Sequence, residues 1–394
     1  MPSTRTTSRI LMLITFLAFV SIGFPDAVLG VAWPLMRITF DRPISSLGFI
    51  LVASGAGYFA SGVFAGRALE RLGVGRLLAL STTLVTIGLY GYTFSPTFWP
   101  LLGAAILIGV GSGAVDAGLN FFASEHFSVT VMNWLHAFFG IGAMVGPFLM
   151  SGVFAAGGSW RIGYFIVSSL IAAMAITFWL TSDRWNEGGH AEAEAEAARI
   201  SMRYVLGLPE VWLQICIFAV MCGIEASAGN WTATVMTGRF DASESQAGIW
   251  AGIFWGSMAV GRIALVPLSR GMDPARLVQI CTWAILLGAF LTTRDPEGWY
   301  KTGLIVFGLG MAPMFPTLMS LTPQRLGSQV SLHAIGFQVS AATLGIVSIP
   351  SLGGILAERT SLVAIPWIMT IGAIVVIALE MTLRAGVNRK TAIA

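Results

Sequence analysis

The sequence predicts an all-α integral membrane protein with twelve transmembrane helices in two pseudo-symmetric six-helix bundles. A shortage of charge, a series of long apolar runs and an ordered repetition between the two halves carry that expectation. Of 394 residues, 56% are hydrophobic and only 10% are charged, with a mean hydropathy of +0.80. Soluble domains carry about 25% charged residues, so this chain cannot cover a water-exposed surface of its size. A bilayer is the solvent such a composition fits.

A helix needs about 20 apolar residues to cross hydrocarbon. On that rule the crossings fall at 10–34, 46–66, 76–95, 99–122, 131–156, 160–181, 209–236, 245–268, 275–293, 299–320, 330–356 and 361–384. The polar segment Thr181–Leu208 divides them six and six, which sets the domains at 1–181 and 209–394 with a linker over 182–208. Inside it the run His190–Ile200 (HAEAEAEAARI) is rich in helix formers and poor in apolar surface. It reads as a solvated, partly helical linker. Arg5 and Arg9 before the first apolar run imitate a secretory leader. The run outlasts a leader's apolar core and shows no small-residue cleavage site, so it reads as the first crossing.

Basic residues set the orientation, because cytoplasmic loops collect Lys and Arg. One side holds 15 of the 22 and the other holds 7. The first side carries both termini and the linker, which predicts a plasma (inner) membrane protein with both ends cytoplasmic. Net charge is only +3, which gives no reason to expect a nucleic-acid partner. The cysteines Cys216, Cys222 and Cys281 lie in apolar runs without metal-ligand spacing and read as free, buried thiols.

The halves also resemble each other. Gly23–Trp33 (GFPDAVLGVAW) matches Gly223–Trp231 (GIEASAGNW), Gly66-Arg67 matches Gly261-Arg262, and Leu135-His136-Ala137 matches Leu332-His333-Ala334. An ordered series at near-constant offset points to an internal duplication, and repeated halves with a midplane site are a transporter arrangement.

Ionisable residues inside the apolar runs mark the candidate site, since each costs roughly 2.5–3.5 kcal/mol to insert. Asp26 directly follows Pro25, which removes a backbone hydrogen bond and predicts a broken or kinked helix around the acid. Asp116 lies one helical turn from Asn120, so carboxylate and amide share a face and can serve a polyol or a proton. An interhelical hydrogen bond without a solute is the alternative, and Glu225 has the same two readings. Asn230 and Trp231 form either a sugar platform, amide beside aromatic face, or a membrane-interface anchor, and Trp33 is ambiguous in the same way. Asn133 and His136, with His333 in the second half, read as a polar latch at the cytoplasmic mouth or as packing near the headgroups. Gln338, deeper in its helix, reads as facing the cavity.

The stretch Gly66–Arg76 (GRALERLGVGR) resembles the signature loop of the major facilitator superfamily: glycine, three residues, an acid, a base, one residue, glycine, then a further base. Glu70 stands where aspartate is usual, Arg71 is the base, and the trailing basic cluster is reduced to Arg76. The resemblance implies the major facilitator fold, and implies that Gly66, Glu70, Arg71 and Arg76 gate the cytoplasmic side as the halves rock. Within that family the chain looks most like the fucose and glucose permease branch, on Pro25-Asp26, Gly113-Ala114-Val115-Asp116, Gly223-Ile224-Glu225, Asn230-Trp231 and Met314-Phe315-Pro316. That branch implies proton coupling and sugar binding by acids in helices 1 and 4, and Asp116 stands where glutamate is common.

The resulting expectation is a secondary active carrier that moves a small polar solute, a monosaccharide by preference, in symport with protons. Asp26, Asp116 and Glu225 would couple protons. Asp116, Asn120, Glu225, Asn230, Trp231 and Gln338 would bind solute. A proton-coupled exporter of drugs or metabolites is the alternative, and the amides favour the polyhydroxylated ligand. An enzyme would need clustered nucleophiles, bases or metal ligands, and a receptor would need a soluble signalling domain; neither is found. No phosphate-binding loop, cofactor motif or metal motif appears. One chain supplies both halves of a pathway, so a monomer in the lipid bilayer is expected.

Overall fold

Hydrocarbon offers no hydrogen-bond partner, so each apolar run must satisfy its backbone groups internally and becomes a helix. The computed structural model describes residues 9–185, 201–268 and 271–393; the expected linker helix over His190–Ile200 lies outside the described residues. In chain order the helices are α1 (Arg9–Thr39), α2 (Leu47–Phe94), α3 (Phe98–His126), α4 (Val129–Ala155), α5 (Trp160–Thr181), α6 (Pro209–Arg239), α7 (Glu244–Leu268), α8 (Pro274–Thr292), α9 (Glu297–Met311), α10 (Met314–Leu326), α11 (Ser328–Arg359) and α12 (Ala364–Ile393). Single turns at Ile44–Ser46, Ser182–Trp185 and Met202–Val205 complete them. Among the described residues there is no strand.

Ten described segments are long and apolar enough to cross a bilayer. One of them, Ile44–Phe94, has 51 residues. At 1.5 Å per residue it measures about 75 Å, against a hydrocarbon core of about 30 Å, so it holds two crossings. The 25-residue α7, with Arg262 in its apolar run, has the length for the twelfth.

Three local expectations are corrected. The stretch Gly66–Arg76 is not an open loop: helical dihedrals persist through it except at Gly73, with φ 71° and ψ 166°. That conformation is open to glycine and strained for other residues. The expected single helix over 299–320 is two pieces, α9 and α10, parted at Ala312-Pro313, because proline cannot donate into the helical ladder. Conversely, α1 continues through Pro25 and Pro34 without the expected break.

Polar side chains terminate helices where the chain turns. The Ser128 hydroxyl accepts from the Val131 amide at 3.4 Å to cap α4, and Asp273 accepts from Ala275 at 3.2 Å to cap α8. The outer surface is studded with exposed apolar side chains such as Leu180, Phe94 and Ile38, the surface a lipid solvent permits. Cys222 and Cys281 are free and buried, whereas Cys216, also free, is exposed on such a face.

The chain folds into two compact units, the described residues of Met1–Gly189 and Asn230–Ala259 in one, those of His190–Gly229 and Val260–Ala394 in the other. In the first, α1 packs on α4, and α2 packs on α3 and α5. In the second, α8 packs on α9 and α12, and α11 packs on α10 and α12.

The duplication is visible in the packing seams. A Cβ on Gly111 would meet the Ser81 carbonyl and Val85, and a Cβ on Gly310 would meet the Cys281 carbonyl and Ile285. Each residue of the second set lies 199 or 200 positions after its counterpart in the first. The same register makes Glu225 the sequence counterpart of Asp26. It does not extend to the two histidines. Gly142 in α4 closes on Val20, and Gly345 in α11 closes on Ala219, an offset of 203 between the glycines. His136 and His333 are 197 apart, so they are not equivalent in the fold, and the Leu-His-Ala match was a coincidence of letters.

Candidate functional site

The first unit builds a polar centre from α1, α2 and α3. Asp116 and Asn120 do share one face of α3. The Asn120 amide donates to Asp116 Oδ1 at 2.8 Å and to the Asp116 carbonyl at 2.9 Å. The second carboxylate oxygen accepts from the Tyr58 hydroxyl of α2 at 2.7 Å. Tyr58 lies 58 positions away and carries no sequence motif, so its role was not legible before the fold. The approach of α2 to α3 that permits this bond runs through Gly57 and Gly109, whose absent side chains leave room for the facing backbone. All three side chains are half-buried. The arrangement leaves the carboxylate with two donors, which holds its orientation while the Asn120 carbonyl oxygen and one face of Asp116 can meet a ligand.

Asp26 is different. It is exposed although it sits inside a 31-residue apolar helix, and Asp116 is near enough to act on it electrostatically. An ionisable group at that depth belongs to a water-filled space rather than to lipid.

Asn230 is half-buried and Trp231 fully buried in the part of α6 that belongs to the first unit. Trp231 is therefore sited neither as a headgroup anchor nor as an open aromatic shelf. Trp33 is likewise buried, and its indole donates to the Ile44 carbonyl at 3.2 Å. Gly66, Glu70, Arg71 and Arg76 are all exposed, and no ion pair among the described residues includes them. Exposed His136 stands edge-on to Phe19 at 5.5 Å. Asn133 lies near the start of α4, and its side chain lies outside what is described.

In the second unit Glu225 is half-buried on α6, under the opposite charge of Arg262 on α7. Arg262 also donates to the Ala312 carbonyl at the break between α9 and α10, at 3.3 Å. In the sequence Arg262 stands out only as the match of Arg67; an acid and a base both lying in apolar runs was the signal that could have paired it with Glu225. Gln338 is fully buried, its amide donating to Gln214 at 2.7 Å and to Thr322 at 3.1 Å. Its place is a closed three-residue network rather than an open face. The histidine of this unit, His333, is half-buried in α11. No group of three or more His, Cys, Asp or Glu able to hold a metal ion occurs among the described residues.

A family model described as Major Facilitator Superfamily matches residues 11–336. The human sodium-dependent glucose transporter 1 is 24% identical over 382 residues, covering 87% of this chain and 72% of the relative. The yeast (Saccharomyces cerevisiae) bypass of stop codon protein 6 is 22% identical, with 93% and 80% covered. Among solved structures, the nucleoside transporter NupG superposes with a TM-score of 0.68 at 17% identity, covering 95% of this chain and 97% of that one. The E. coli fucose:proton symporter FucP superposes with a TM-score of 0.65 at 14% identity, covering 96% and 99%. At these identities the structural likenesses speak to the fold alone.

Proposed function

The chain belongs to the major facilitator superfamily, and on that premise we propose that this transporter moves a small polar solute, a monosaccharide, in symport with protons by alternating access. The observation that carries the reading is the half-buried Tyr58–Asp116–Asn120 constellation, with exposed Asp26 beside it in otherwise apolar helices. Carboxylate, amide and phenol together match the mixed donors and acceptors of a polyol. The names of the human glucose transporter and of the fucose:proton symporter support the sugar class.

In this reading Asp26 carries the coupled proton, Asp116 and Asn120 meet solute hydroxyls, and Glu225 takes part from the second unit under the charge of Arg262. Asn230 completes the binding set, and Trp231 is left out because its ring is fully buried. Gln338 is left out because its amide is engaged with Gln214 and Thr322. The bundles are 1–181 and 209–394, joined by the linker 182–208, with both termini on the cytoplasmic side of the plasma membrane, and the working unit is one chain. Gly66, Glu70, Arg71 and Arg76 gate the cytoplasmic side, with Asn133, His136 and His333 near it.

The test is Asp26→Asn in proteoliposomes with an imposed pH gradient. The amide imitates the protonated acid, so bound solute still exchanges across the membrane in counterflow. Accumulation against a gradient is lost, because no proton is taken up and released per cycle. Accumulation that survives the substitution removes Asp26 from the coupling role.

A further inference from the structure

Three arginines stand at the end of the first unit where α1 and α2 finish and α3 and α5 begin. The Arg42 guanidinium lies over the rings of Phe98 and Trp99, 5.2 and 5.5 Å from their centroids. That of Arg161 lies 4.4 Å from the Trp160 ring and donates to the Thr93 carbonyl at 2.7 Å. The two groups therefore bracket one short turn, 93–99, which joins α2 to α3. The Arg42 amide donates to the Arg37 carbonyl at 2.8 Å, which brings the third arginine to the same end.

No ion pair among the described residues includes any of the three. The Nε atoms of Arg37 and Arg42 are shielded from solvent and have no hydrogen-bond partner, and a desolvated cationic donor left unpaired is costly. The segments at this end, 37–46, 93–101 and 154–163, hold those three arginines and one acid, the exposed Asp41. The corresponding segments of the second unit, 237–246, 293–301 and 357–366, hold four basic residues and five acids. Lys301 there pairs with Glu297 at 2.9 Å. The second unit thus supplies its own counter-charge, and the first does not.

The surroundings of the arginines point to the source of the missing anion. The Trp99 ring under Arg42 is 62% exposed, Phe94 beside the Thr93 carbonyl 69%, and Ile38 beside Arg37 66%. Exposed tryptophan at the end of a membrane helix marks the level of the headgroups, where the anion within reach is a lipid phosphate. Arginine presents a planar fork of donors that matches phosphate oxygens. Three arginines against one carboxylate leave two positive charges, which favours an anionic lipid over a zwitterionic one.

We propose that this end of the first unit binds an anionic phospholipid, whose phosphate is held by Arg42 and Arg161 at the α2–α3 turn, with Arg37 adding charge beside them. Binding itself stands on the first unit alone. Only the leaflet, the outer one, rests on the topology proposed above.

The test is the melting temperature of the purified, delipidated full-length protein in a neutral detergent at fixed pH and ionic strength. Phosphatidylglycerol, phosphatidylcholine and inorganic phosphate are titrated separately. A ligand of the folded state raises the melting temperature in a saturable way. Phosphatidylglycerol therefore stabilises the wild type at lower concentration than phosphatidylcholine, and inorganic phosphate leaves it unchanged. In Arg42→Gln the phosphatidylglycerol concentration for half-maximal effect rises by about tenfold, the loss of one charge-assisted hydrogen bond. Adding Arg161→Gln removes the preference for the anionic lipid. Arg161 also holds the Thr93 carbonyl, so where the double variant fails to fold, Arg42→Gln alone carries the test. Arg294→Gln keeps the full response, because that guanidinium, 4.1 Å from the Phe290 ring, lies in the second unit. Equal midpoints in the two lipids, or an Arg42→Gln response equal to that of the wild type, overturn the proposal. An equal shift by inorganic phosphate overturns the lipid and leaves a soluble-anion site. The assay contains no solute and no gradient, so each of these failures leaves the transport reading standing.

Discussion

The two units close the same point of a duplicated fold with different physics. In the first, the last turn of α3 ends on His126, stacked on Phe122 with ring centroids 4.1 Å apart. Trp185 packs edge-on against Phe122 at 4.8 Å and against Phe178 at 5.6 Å, and its indole donates to Thr181 at 3.1 Å. In the second, the last turn of α10 carries Arg325, 199 positions after His126. Arg325 donates to both oxygens of Glu380, at 3.2 and 2.5 Å, and Arg384 donates to the same carboxylate at 2.9 Å. Arg384 also donates to the Ala275 carbonyl, which draws α8 into the cluster. Both last turns thus carry a basic residue, as the helix dipole favours. Ring packing is what surrounds it in one unit, and buried charge in the other. Dispersion degrades gradually when one ring is removed, whereas a buried charge left unpaired is costly at once.

Glu380→Gln should break that comparison most sharply. The Arg325 and Glu380 side chains are only 7% and 5% exposed, so removing the shared charge strands two guanidinium groups and should cost about 3–5 kcal/mol. The measurement is the denaturation midpoint in detergent. A loss no larger than that of a ring deletion in the first unit would mean that water reaches the cluster.

The packing seams sharpen the comparison at an intermediate scale. An added Cβ would stand 2.5 Å from the Ser81 carbonyl and 2.6 Å from Val85 Cγ2 at Gly111, but 3.0 Å from its nearest neighbours at Gly310. Gly111→Ala and Gly310→Ala should each destabilise by about 1–3 kcal/mol, the usual cost of overpacking, with Gly111 the more sensitive. Equal melting of the two variants and wild type would remove the seam as evidence of duplication. The smallest effect is expected for His126→Ala, about 0.5–1.5 kcal/mol for one ring contact, visible as a slight fall in the same midpoint.

The register also separates the candidate site from its counterpart. Asp116 corresponds to Phe315 and Tyr58 to Ser257. Phe315 packs edge-on with Phe218 at 5.3 Å. The polar centre thus belongs to one half of the duplication, while the other half kept an aromatic contact in its place. Asp26 and Glu225, by contrast, keep an acid inside the apolar run of both halves, and the short matching stretches around them were readable in the sequence.

The twelve crossings and the three intramembrane acids were determined by the sequence alone. Bilayer thickness demands apolar runs of a given length, and an acid within such a run stands out against its neighbours whatever the tertiary structure. Partner identity was decided only by the tertiary structure. Tyr58 for Asp116, Gln214 and Thr322 for Gln338, and Glu380 for Arg325 all depend on which helix faces approach. Hydropathy is nearly uniform around these helices and says little about facing. Glycine seams set those approaches, and they also placed the repeat at 203 in α4 and α11 where the letters had suggested 197. Letters match by composition, but helices settle where backbones can touch.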